Sequence, residues 1–229
     1  MAQLINNPGT HNPNLNMDEI LPNLWIGDIL STYNISNLQS KNICTIISVN
    51  DQPLPQWLRT RYLELGFSHH DFLVQDDALE DILHIMNDAC EMIDKSLCQN
   101  KGVLVHCGLG ISRSGTVVLG YGEITLFTLT SWVMILIRLT SYAVMRERTL
   151  DREEALALVR KKRSRVQPNT GFWEQLSIWH DCHHDVFENF DGEILEKKIY
   201  REWKEKTAME MGSRVSNLAQ SQSSVGGQR

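Results

Sequence analysis

The chain has 229 residues, a formal net charge of -6 and a sequence pI of about 5.7, with 42% hydrophobic and 22% charged residues. These values suit one globular domain with modest extensions and exclude a fibrous or wholly disordered chain. The acidic balance disfavours a generic nucleic-acid binder, whose affinity comes from clustered Lys and Arg, but leaves room for a local anion site.

Five cysteines, Cys44, Cys90, Cys98, Cys107 and Cys182, occur without CxxC pairing, and the opening MAQLINNPGTHNPNLN lacks the charged start and apolar run of a secretory signal. A reducing compartment, cytoplasmic or nuclear, is expected, with no membrane association.

Residues 1–16, rich in Asn, Pro and Gly, read as a flexible lead-in to a domain over 17–182. LPNLWIGDI and ICTIISVN (43–50) have the β-branched, apolar character of short strands, and STYNISNLQSKN between them fits a short helix. Apolar residues at 79, 82, 83, 86, 89, 93 and 97 follow the period of an amphipathic helix, after which KGVLVHC reads as a buried strand. LDREEALALV carries a helix-start signature, with Asp151 as cap, Glu154 as capping-box partner and Leu150 stapled to Ala155, and should run to about Arg163. FWEQLSIW (172–179) reads as the last domain helix, 186–211 as a charged helical extension, and SNLAQSQSSVGGQR as a disordered tail, so that 183–229 lies outside the domain.

The stretch VLVHCGLGISRSGTVV (103–118) is an apolar strand, a Gly-bearing turn and a helix start. A thiolate is the reactive form of cysteine, and a helix N-terminus and a cationic neighbour favour it. With a helix starting near Ser112, the backbone N–H groups of Gly108, Leu109, Gly110, Ile111, Ser112 and Arg113 can curl around one tetrahedral oxyanion, with Gly108 and Gly110 permitting the tight path. Arg113 adds a planar fork that matches two oxygens of a phosphate.

His106-Cys107, five intervening residues and Arg113 form the signature of cysteine-dependent phosphatases, and HCGLGISRSG resembles the dual-specificity protein phosphatases in particular. The resemblance runs over roughly 17–180 and includes PNTGFWEQL (168–176). It implies an α/β fold with a central, mainly parallel sheet flanked by helices and the catalytic loop at a strand's C-terminal end, a common ligand position in such sheets.

It further implies that Cys107 attacks phosphorus, Arg113 steadies the transferring group, and a carboxylic acid protonates the leaving oxygen. In similar proteins that acid lies about thirty residues before the nucleophile, with Asp-Ile five residues after it. Asp76 stands 31 residues before Cys107 with Asp81-Ile82 following in register, whereas Asp77 fits a helix cap; a one-residue shift of the loop exchanges the two. Ser114 matches the family's hydroxyl that bonds the cysteine sulfur, and His106 is expected to steady the loop from behind. No cofactor and no metal are required.

WHDCHHD (179–185) crowds possible metal ligands without the paired spacing of a zinc site, and reads as a solvated helix end. RKKRSR (160–165) reads as cations suited to a helix C-terminus, with an acidic substrate or an import receptor as the rival. Between Tyr121 and VMRERTL lies GEITLFTLTSWVMILIRLTSYA, residues 122–143, which interrupts the family's spacing. Gly122-Glu123 and Ala143-Val144 can be encoded by codons that contain splice signals, so it reads as a retained intron or as a genuine insertion; the abundant transcript separates the two. Its apolar core is too short, and holds Arg138, for a bilayer span.

The expected activity is hydrolysis of phosphotyrosine and phosphoserine or phosphothreonine in phosphoprotein substrates. A phosphoinositide or RNA 5′-phosphate phosphatase is the alternative enzyme, although GLGIS lacks the lysines that lipid-directed relatives often place in this loop. A phosphoprotein-binding protein that has lost catalysis is the other alternative.

Overall fold

A computed structural model of the chain describes residues 16–125 and 152–225, with side chains over 16–122 and 152–216. Five strands form one sheet in the order β1-β2-β5-β3-β4. β1 (Met17–Leu21) runs antiparallel to β2 (Leu24–Gly27), and β2, β5 (Gly102–His106), β3 (Ile43–Asn50) and β4 (Ser68–Leu73) are mutually parallel. The mainly parallel sheet expected from the sequence is therefore present.

The near-continuous apolar runs of β3 and β5 reflect a sheet covered on both faces. Alternation along the strands divides the core in two. Ile47, Val49, Val103 and Val105 face α3 (Leu83–Cys98), α4 (Arg113–Thr125), α5 (Arg152–Lys162) and α6 (Thr170–Asp181). Ile46 and Leu104 face the opposite way, onto Leu38 of α1 (Ile35–Ser40) and Leu58 and Tyr62 of α2 (Gln56–Glu64).

Several local expectations need correction. The helix read from Leu79 begins at Leu83, because the carboxylates ahead of it bend the chain: Asp77 Oδ1 accepts from Leu79 N at 2.8 Å, and Asp81 Oδ1 accepts from Leu83 N at 3.0 Å and His84 N at 3.3 Å. β1, α2 and β4 escaped the pattern search; β4, SHHDFL, is a polar edge strand with no clean alternation.

The extension starts as a hairpin, not as a helix. β6 (Phe187–Phe190) pairs with β7 (Glu193–Glu196) across Asp191 and Gly192, whose φ values of 57° and 88° place both in the left-handed region that two-residue hairpin turns favour. α7 (Lys198–Val225) follows, so the Ser/Gln stretch through Val225 is helical. α7 is moored by buried Tyr200, which stacks on Trp203 and donates to Asp81 Oδ2 at 2.6 Å. Cys182 in WHDCHHD is buried rather than solvated, and burial raises its thiol pKa. The interruption at 122–143 begins within α4; from 126 it lies outside the described residues, as do Leu150 and Asp151.

Candidate active site

Cys107 follows β5 directly, at the carboxyl edge of the parallel strands, and Gly108–Ser112 lead into α4 at Arg113. The cysteine is 1% exposed, and its Sγ accepts from Gly110 N at 3.2 Å and from Ser114 Oγ at 3.3 Å. Leu109 projects outward, 69% exposed, as the apolar rim of the loop. Ile111 O accepts from Gln167 N at 3.1 Å, tying the loop to the segment before α6.

Of the two loop glycines only Gly110 is demanded by the backbone. Its φ is +66°, and a Cβ there would stand 2.5 Å from both Gly27 O and Arg163 Nη2. Gly108 has no such φ, and a Cβ would make ordinary contact with Arg113 at 3.5 Å, which corrects the equal weight given to both.

Arg163 explains that close approach. Its side chain is fully buried behind the loop, where Nε donates to Gly110 O at 2.8 Å, Nη2 to Leu109 O at 3.4 Å, and Nη1 to Asp18 Oδ2 at 2.6 Å. Holding the carbonyls outward turns the loop's N–H groups toward the cradle. Burial lowers the guanidinium pKa, with the hydrogen bond to Asp18 opposing it. The basic run at 160–165, read as cations suited to a helix C-terminus, therefore contains the strut of the loop. Replacing Arg163 with Met strands two carbonyls and one partly exposed carboxylate, and should cost about 3 kcal/mol in denaturant unfolding, with a parallel loss of phosphate binding.

Arg113 lies along the cradle wall, nearly buried. Nη1 donates to Val74 O at 3.1 Å and stands 3.6 Å from Asp51 Oδ1, while Nε, 3.8 Å from Asp76 Oδ2, has no hydrogen-bond partner among the described residues. A buried donor without an acceptor beside a ring of amides is what a bound oxyanion would satisfy.

The structure separates the two acid candidates. Asp76 Oδ1 accepts from Ser112 Oγ at 2.7 Å and from Asn169 Nδ2 at 2.9 Å, so this carboxylate overhangs the cradle. Asp77 turns away to its capping bond and lies 4.0 Å from Arg214 of α7. Asn169 also accepts from Phe172 N at 2.9 Å and donates its own N–H to Ser112 Oγ at 3.1 Å, and thereby links loop, acid and helix start. Gly171 fits because the Ala78 carbonyl occupies the space of a side chain there. PNTGF, which leads into α6, thus clamps the segment that carries Asp76, aided by Gln175, which accepts from Ile82 N at 2.9 Å and donates to Glu80 O at 2.7 Å.

His106 is fully buried beneath Cys107, and its Nε2 pairs with Ser48 Oγ at 2.6 Å. Burial, with His69 and Arg113 nearby, lowers its pKa to about 3, so the ring is neutral. Sequence reasoning missed Asp51, Ser48, Asn169 and Arg163 as parts of the site. Asn169 and Arg163 stood in motifs already quoted and Ser48 in the strand read at 43–50, whereas Asp51 stood in none. Among the described residues no group of three His, Cys, Asp or Glu side chains could hold a metal ion.

The family described as dual specificity phosphatase, catalytic domain, matches residues 25–122, ending where the sequence reads an interruption. A Drosophila melanogaster protein, dual specificity protein phosphatase MPK-4, is 29% identical over 171 residues, which span 72% of this chain and 36% of that protein. Dual specificity protein phosphatase 22 of Xenopus tropicalis is 28% identical over 172 residues, covering 75% of this chain and 68% of its own length. Among solved structures, the human tyrosine phosphatase-like serine/threonine/tyrosine-interacting protein superposes with a TM-score of 0.55 at 26% identity, over 74% of this chain and 99% of that one. The chain spans about a third of the length of the first curated relatives it matches, at 36% and 34%. Motif, sheet order and sequence likeness converge on one family, and the chain is similar to the dual-specificity phosphatases of the cysteine-dependent class.

Proposed function

We propose that the protein hydrolyses phosphate monoesters on phosphoproteins, at tyrosine and at serine or threonine, through a phosphocysteine intermediate. The observation that carries this reading is the meeting of Cys107 Sγ, Arg113 and Asp76 around one amide-lined loop.

In the first step the Cys107 thiolate attacks phosphorus, the ester P–O bond breaks, and Asp76 gives its proton to the leaving oxygen. Ser112 and Asn169 both bond Oδ1 of Asp76, which leaves Oδ2 to carry that proton. Arg113 follows the charge that builds on the equatorial oxygens. In the second step water attacks the phosphocysteine, Asp76 takes its proton, and the P–S bond breaks toward Ser114, whose hydroxyl already donates to Sγ. No metal or organic cofactor enters either step. A cytoplasmic or nuclear signalling role accompanies this reading. Among the described residues no helix is long and apolar enough to cross a membrane.

The test compares the chain as written with the chain lacking 122–143, on an aryl phosphate, a doubly phosphorylated peptide and an inositol lipid. Because α4 carries both the loop and the start of the interruption, the shortened chain should turn over the first two substrates faster, by up to about 100-fold. Preference for the lipid, or tight peptide binding with no turnover by either folded protein, overturns the proposal.

A further inference from the structure

A line of polar side chains runs sideways through the sheet from beneath the nucleophile. On β3, Ser48 stands in register with His106 of β5 on one side and with Asp71 of β4 on the other, and His69 lies two residues before Asp71 on the same face. Ser48 Oγ lies 2.6 Å from His106 Nε2 and 2.8 Å from His69 Nε2, and His69 Nε2 lies 3.4 Å from Asp71 Oδ1. His106 is 0% and Ser48 1% exposed, so neither bond is exchanged for water.

The hydroxyl has one proton and two imidazole nitrogens to satisfy. An ionised carboxylate only accepts, so Asp71 beside His69 Nε2 favours a proton on that nitrogen. His69 then donates to Ser48, and Ser48 donates to His106 Nε2. The remaining proton of His106 is left on Nδ1, which is buried, makes no well-formed hydrogen bond and has the backbone of Cys107 beside it. The reverse order would put an acceptor nitrogen of His69 against the carboxylate.

We infer that Ser48 and His69 are positioning residues for the nucleophile: they hold the His106 ring in one orientation with its proton on Nδ1, and so fix the strand end from which Cys107 projects. The inference rests on the phosphatase reading of Cys107. Neither residue touches substrate; both act through His106.

Burial disfavours a charge on either imidazole of the line. His69 faces Asp71 and His70 on its own strand and Arg59 and Tyr62 from α2, and its pKa is lowered chiefly by burial, with Asp71 opposing. His106 faces His69, Cys107 and Arg113. The arrangement should therefore hold across the working range of pH.

The full chain, labelled with 15N in histidine, shows the His106 tautomer directly in two-bond proton–nitrogen spectra, with His106→Asn identifying the signal. Wild type should show Nδ1–H unchanged between about pH 5 and pH 8. In Ser48→Ala the ring should become a mixture of tautomers, and kcat for an aryl phosphate should fall about tenfold with KM within about twofold; Ser48→Thr, which keeps the hydroxyl, should restore both. His69→Gln, read the same way, decides the matter if Ser48→Ala does not fold. A His106 tautomer indifferent to Ser48, or a kcat indifferent to it, overturns the inference. Turnover absent from wild type defeats the phosphatase reading and this inference together; turnover present but insensitive to Ser48 defeats this inference alone.

Discussion

Cys107→Ser should remove turnover, with kcat lower by about 10⁵-fold or more, while phosphopeptide affinity stays within about threefold of wild type. The asymmetry follows from the site. Gly110 N and Ser114 Oγ donate to the sulfur and can donate as well to an oxygen in its place, and Arg113 and the loop amides that would hold a phosphate are untouched. What is lost is the nucleophile, since a neutral hydroxyl at this position has no base within the described contacts to take its proton. Calorimetric titration with a phosphopeptide, beside a turnover assay, reads both quantities. Residual turnover above about one per cent would mean that chemistry proceeds by direct attack of water, and the covalent reading would fall.

The part of the site that was legible in the sequence is the part built from consecutive residues. A buried strand, a loop with glycine at its turning point and a helix start lie within 103–118, and local periodicity fixes where each side chain goes. The same holds for β3 and β5, whose apolar runs need only a sheet covered on both faces. Residues that reach the site from elsewhere were not legible, because nothing local distinguishes them. Arg163 in RKKRSR looks like any cation near a helix end until β1 supplies Asp18 and the loop supplies two carbonyls. Ser48 sits in an apolar strand as an unremarkable small residue, and its meaning comes from the register that sets it between two histidines. The hairpin at 187–196 failed for a related reason: its strands are four residues each and largely exposed, so they carry no alternation to read.

Asp76→Ala should lower kcat/KM by about 10²- to 10⁴-fold, the range a positioned general acid supplies. The loss should grow as the leaving group worsens. A phosphoserine peptide leaves as an alkoxide and depends wholly on the donated proton, whereas an activated aryl phosphate leaves readily and should be slowed least. Asp77→Ala is the internal control, because its carboxylate is committed to Leu79 N and faces Arg214 away from the cradle. It should cost about 1 kcal/mol of stability through the lost cap and leave turnover within about threefold. Asn169→Ala tests the support: it removes one of the two donors that hold Asp76 and the cap of α6 together, so its effect on turnover should fall between the other two. A larger loss from Asp77→Ala than from Asp76→Ala would show that the segment shifts by one residue when substrate binds. The bonds from Ser112 and Asn169 would then belong to a resting state in which the acid is held back from the cradle.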